Sequence, residues 1–223
     1  MSHFAADTVH TDNADIVSLP VRAVELLTSR ICHDLVSPVG AVSNGVEFIR
    51  DMGEDALQDS ISLIEHSAHQ ASVRLQLFRL CYGAGGSEKL VSAKMIYESF
   101  MNYIDKPKFG LQWDLLNDVP DELPDGFFKL ILNSLIFIHD GLPKGGTLTV
   151  RSHGHLMTVE GRGDMIRLRE GCEDALKGNV PVSDLDPKNI HGYITHYFSQ
   201  VFDVDMEFEQ TDDQLTIRLY IPQ

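Results

Sequence analysis

Two stretches of the chain repeat apolar residues with a helical period. In the first, Val24, Ile31, Leu35, Val42 and Ile49 recur at spacings that sum to sevens, and Pro38 and Gly45 fill intermediate positions of the stripe. In the second, Leu57, Ile61, Ile64, Ala68, Ala71, Leu75 and Phe78 alternate steps of four and three, which marks a coiled-coil seam rather than a broad amphipathic face. Ser18, followed by Leu19 and Pro20, predicts a capped start, since proline is tolerated in a first helical turn. Between the stretches, Gly53 is placed to end one helix and Asp55 to cap the next. Helices joined this tightly lie antiparallel. A lone hairpin leaves both seams open to water, so either the rest of the chain or a second copy must cover them, and a homodimer closing a four-helix bundle is the economical solution.

After Tyr82 the run Gly83-Ala84-Gly85-Gly86-Ser87 reads as a linker and the periodicity changes. Residues 1–17 show no period and read as a flexible tail, residues 18–83 as the helical hairpin, and residues 84–223 as a second domain. In that domain the pattern predicts a helix from Ser92 to Ile104, a strand at Phe109–Leu115, a helix at Asp125–His139 and a strand at Thr147–Ser152. A hairpin over His155–Arg169, a helix at Pro187–Phe202 and strands at Met206–Glu209 and Leu215–Ile221 follow. The fold class is α+β, an N-terminal helical hairpin followed by a sandwich of antiparallel strands with helices on one face.

Composition narrows the partners. The formal net charge is −15, from 33 acidic and 18 basic residues, which repels nucleic-acid phosphates and anionic lipid. Cys32, Cys81 and Cys172 are scattered without a paired motif, so neither a disulfide framework nor a zinc cluster is expected, and a reducing cytoplasm fits. The first residues lack a basic region followed by an apolar run, which argues against a signal peptide. No stretch reaches the ~18 apolar residues of a membrane span.

Helix phase singles out His33. At 100° per residue it lies roughly 200° from Ile31 and 160° from Leu35, so it faces away from the buried stripe. Arg22, Ser29, Arg30, Ser37, Gly40, Asn44 and Glu47 share its polar face, and Ser37 and Gly40 leave the ring sterically accessible. An imidazole is a good nucleophile near neutral pH, and its phosphoramidate is labile enough to pass the group on. Asp34 is placed to hydrogen-bond one ring nitrogen and leave the other as the nucleophile, and Arg30 to offset phosphate charge. Taken alone, an exposed histidine on a polar face is more often plain surface. The same holds for His66 and His69 on the second helix and for His153 and His155 on a strand, where two ligands are too few for a metal. Cys32 points about 100° away from His33 and reads as packing.

The run Cys32-His33-Asp34-Leu35-Val36-Ser37-Pro38 resembles the phosphoacceptor box of sensor histidine kinases, H-[DE]-L-x-x-P. Leu132-Asn133-Ser134-Leu135 followed by Gly145-Gly146-Thr147-Leu148 matches the frame of their asparagine box and its next strand. The box's second asparagine, a magnesium ligand, falls at Phe137, and its usual lysine or arginine falls at Asp140. The adenine-reading D-x-G-x-G pattern is replaced around Glu160-Gly161-Arg162-Gly163, and the glycine-rich lid by Ile190-His191-Gly192-Tyr193. This combination of an intact acceptor box with a degenerate ATPase-like domain resembles the ChpT-type histidine phosphotransferases of alphaproteobacteria.

The resemblance implies a cytoplasmic homodimer that relays a phosphoryl group through His33, with Arg30, Asp34 and Ser37 as its neighbours. It implies a donor in the receiver domain of a hybrid histidine kinase and acceptors in response regulators of the CtrA and CpdR types. No cofactor or metal of its own is expected, since the partner receiver supplies magnesium. Docking is expected on the face carrying Val36, Gly40 and Asn44. Three other readings stay open: an ATP-dependent kinase with divergent loops, a metal-dependent phosphohydrolase using His33 and Asp34, and a module that binds receivers without chemistry.

Overall fold

The computed structural model describes residues 18–53, 57–84, 91–114 and 123–222. The expected tail at 1–17, the capping residue Asp55 and residues 85–87 of the expected linker lie outside the described residues. Helix α1 spans Val21–Met52 and α2 spans Leu57–Cys81, forming the expected hairpin. Helix α1 starts from an extended Pro20 with no side-chain cap. The Pro20 carbonyl accepts the amides of Ala23 and Val24 at 3.0 and 3.3 Å, so Ser18, expected as the cap, sits too far upstream to serve. At the other end Gly53, with φ of +64°, donates its amide to the Ile49 carbonyl, the left-handed close that glycine permits.

Small residues let the two helices approach. A Cβ on Gly45 would fall 2.6 Å from Ile64 Cγ1 and 3.3 Å from the Ser60 carbonyl. Pro38 and Gly45 of α1 and Ser60 and Ser67 of α2 are buried. Yet several seam residues stay open to solvent in the single chain, among them Val24, Leu57, Ile61 and Leu75, the last 54% exposed. At its end α2 changes surroundings: Leu77, Leu80 and Cys81 are buried within the core of the following sandwich.

That sandwich contains α3 (Ala93–Tyr103), β1 (Phe109–Asp114), α4 (Phe127–Asp140), β2 (Gly146–His153) and β3 (Leu156–Arg162). It continues through α5 (Cys172–Leu176), α6 (Ile190–Val201), β4 (Asp205–Gln210) and β5 (Gln214–Tyr220). Ser92 caps α3 by accepting the Met95 amide at 3.3 Å. The strands run in the order β1-β2-β3-β5-β4. Leu148, Val150, Met157, Val159, Leu215, Ile217 and Leu219 form the buried face, on which α4, apolar nearly all round, packs. The opposite face is polar and carries the Arg151–Glu160 and Arg218–Glu209 ion pairs.

The α+β class holds, with corrections of detail. Strand β1 pairs parallel to β2, because α4 intervenes as a crossover and returns the chain in the same direction; the other pairings are antiparallel. The hairpin partner of β3 is β2, through Gly154 at φ of +56°. Residues 163–169 form no strand, since β2 and β5 already occupy both edges of β3 and the Arg167 amide bonds the Gly141 carbonyl at 2.9 Å. Helix α6 begins at Ile190, three residues later than its pattern predicts, because the Asp186 carboxylate accepts the amides of Lys188 and Asn189 in a turn. Near its start α1 buries Ala23 and Leu26 against Leu185, Ile190 and Ile194. Among the described residues no helix is long and apolar enough to cross a membrane.

Candidate functional site

The hairpin and the sandwich enclose an open cleft of about 650 Å³. Helix α1 contributes Ser29, Arg30, His33, Asp34 and Ser37, α2 contributes Arg74 and Phe78, and the opposite wall holds Tyr103, Asp140, Arg169, Pro187 and Lys188. Four of the residues singled out by sequence, Arg30, His33, Asp34 and Ser37, therefore share one site. Val36 and Asn44 are exposed and Gly40 is half-buried with nothing near its missing Cβ; none of the three lines the cleft. His66 and His69 lie in an adjoining recess with His139. Among the described residues no cluster of three or more potential metal ligands occurs.

The His33 side chain is 89% exposed, and its Nδ1 stands 3.3 Å from Asp34 Oδ1. With the carboxylate accepting the Nδ1 proton, the lone pair resides on Nε2, which is then the nucleophile. The surrounding charge is unlike the rest of this acidic chain. Four cations, Arg30, Arg74, Arg169 and Lys188, face two carboxylates, Asp34 and Asp140, so the cleft favours an anion.

Arg30 does not project freely toward His33. Its Nη2 donates to Asp140 Oδ2 at 2.6 Å, and its side chain is only 14% exposed. Burial on its own would raise the Asp140 carboxyl, but the hydrogen bond with His139 and the Arg30 charge outweigh it and hold the group well below the usual carboxylate range. Arg74 is occupied differently, donating to the Gln70 carbonyl and to Gln70 Oε1 at 3.2 and 2.7 Å.

Behind the cleft a buried polar chain ties the parts together. The Tyr82 hydroxyl donates to His191 Nδ1 at 2.8 Å, and His191 Nε2 donates to the Asn133 carbonyl at 3.0 Å. The Asn133 side-chain amide donates in turn to the carbonyls of Cys81 and Lys129. So Asn133, in the frame of the kinase asparagine box, serves to anchor the end of α2. Phe137, where a magnesium ligand is expected in that box, is buried with its ring edge-on to Phe208 at 5.7 Å. The recess bounded by Arg30, Phe137, Cys172, His191 and Gly192 is only about 20 Å³.

Burial and the neighbouring Arg30 charge push His191 down to about 4. An ordinary histidine in the unfolded chain takes up its proton near 6.5. Between those values the unfolded state binds the extra proton, so stability is complete above about pH 6.5 and falls by about 3 kcal/mol as pH drops to 4. Urea unfolding at pH 7 and 4.5 should show this loss, and it should shrink in His191→Gln, which keeps a donor and an acceptor but no titration. An unchanged pH slope in that variant would reject the assignment.

Tyr103, Asp140, Arg169 and Lys188 were not accessible to helix-phase reasoning. Only Asp140 gave a signal, as a carboxylate where a cation is usual.

A profile for the histidine phosphotransferase C-terminal domain matches residues 94–214. Protein phosphotransferase ChpT of Brucella abortus (strain 2308) is 36% identical over 181 residues, covering 76% of this chain and 81% of that protein. A solved bacterial phosphotransferase structure is 28% identical and superposes with a TM-score of 0.75, covering 91% of this chain and 98% of that one.

Proposed function

Because this chain belongs to the histidine phosphotransferases, we propose that His33 carries the phosphoryl group between its relay partners. The observation that supports this best is the exposed imidazole in a cationic cleft of an otherwise acidic protein. The donor is a hybrid-kinase receiver domain bearing an aspartyl phosphate. His33 Nε2 attacks the phosphorus in line, the bond to the aspartate oxygen breaks, and the imidazole sheds its Nδ1 proton toward Asp34. An acceptor receiver's aspartate then attacks phospho-His33 and restores the ring. The receivers supply magnesium, and the acceptors are response regulators of the CtrA and CpdR types by resemblance.

In this reading the relay uses no ATP. The aromatic packing of Phe137, at the position where the kinase asparagine box carries a magnesium ligand, and the recess of about 20 Å³ beside it support that. The working unit is a cytoplasmic homodimer, favoured by the exposed seam residues Val24, Leu57, Ile61 and Leu75 and by three free cysteines.

The test offers the purified chain labelled ATP alone and, separately, receiver domains carrying labelled aspartyl phosphate. Acid-labile label from a receiver and none from ATP is the expected pattern. Label taken directly from ATP would make the chain a kinase, and no transfer from any receiver of the source organism would overturn the relay.

A further inference from the structure

A carboxylate at the last residue of a helix stands at the wrong end of the helix dipole, whose C-terminus carries partial negative charge. Asp140 occupies that position in α4, where it is held by the neighbouring His139 ring and by Arg30, 110 residues upstream. The pair joins the phosphoacceptor helix directly to the opposite wall of the cleft. Arg30 is mostly buried yet lines the cleft; its Nη2 meets Asp140, and a guanidinium has five N–H donors, so the pair does not exhaust its hydrogen-bonding capacity.

We propose that Asp140 is a positioning residue for phosphoryl transfer, holding the Arg30 guanidinium at the cleft floor one helical turn before His33. This deepens the relay reading and rests on it. An arginine on an open helix face samples many rotamers, and fixing it as the phosphoryl group arrives costs conformational entropy. Here the ordering is done in advance by the fold, so the remaining donors meet the phosphoryl oxygens without reorganisation. Arg74, held on its own helix by Gln70, lacks such a link across the cleft.

The experiment uses phosphoramidate as a small donor that needs no docking surface. His33 Nε2 attacks phosphorus, the P–N bond breaks, and the proton shed by the imidazole balances the one taken up by departing ammonia. Asp140→Asn is expected to lower the second-order rate constant roughly ten-fold. In an Arg30→Gln background the same change should cost nothing more, since Asp140 acts through Arg30. An undiminished rate in Asp140→Asn, or additive losses in the double variant, would overturn the proposal. If Asp140→Asn does not fold, the NMR signal of the Arg30 guanidinium in the wild-type chain decides. Slowed rotation about Cζ–Nε supports the link, and free rotation removes it. A chain that reacts with phosphoramidate but with no receiver refutes the relay reading and leaves the Asp140 ratio to be judged separately.

Discussion

His33→Ala should abolish phosphoryl acceptance while leaving the fold untouched. The two halves of that result have separate causes. The side chain is 89% exposed and, among the described residues, its polar contact is with its neighbour Asp34, so its removal should change stability by no more than about 0.5 kcal/mol. The chemistry has no substitute, because no other histidine, cysteine or lysine on the α1 wall of the cleft offers a nucleophile. Transfer from a charged receiver should fall at least ~1,000-fold, to the level of background hydrolysis. Label incorporation and a thermal melt on the same preparation check both halves. Retained label in a folded His33→Ala chain would place the acceptor elsewhere and end the assignment.

Ile64→Asp should have the largest structural effect. Ile64 of α2 packs against Gly45, where the missing side chain lets the hairpin helices approach. A carboxylate there has no cation to meet and cannot be solvated in a closed bundle, a penalty of several kcal/mol. Sedimentation should show monomer, or circular dichroism should show lost helix. A variant that stays folded and dimeric would refute the four-helix bundle.

The parts of this architecture that were legible beforehand share a physical origin. Helices α1 and α2 announce themselves because a seam repeats over many turns, and the outward direction of His33 follows from counting residues along one helix. Gly53 shows in advance where α1 closes because only a few residue types suit a left-handed cap. The far wall of the cleft obeys no such local rule. Arg169 and Lys188 sit in irregular segments whose placement depends on β3 already having two strand partners and on the Asp186 turn. The Arg30–Asp140 pair is equally hidden, since nothing near residue 30 specifies a partner at 140. Even the parallel pairing of β1 with β2 requires knowing that α4 crosses over the sheet. Sequence period thus revealed the helix and outward face of His33, and tertiary closure supplied its charged surroundings.

The anchoring of α2 in the sandwich has a kinetic meaning. Leu77, Leu80 and Cys81 are buried in the sandwich core, and Tyr82 is stitched to His191, so in the proposed relay His33 is presented in a cleft whose two walls are tied together. A receiver that delivers a phosphoryl group and a receiver that collects it must use the same space. They therefore take turns, and an excess of unphosphorylated acceptor slows loading just as it speeds unloading. The abundance of each receiver, as much as its affinity, then sets how signal divides among the branches.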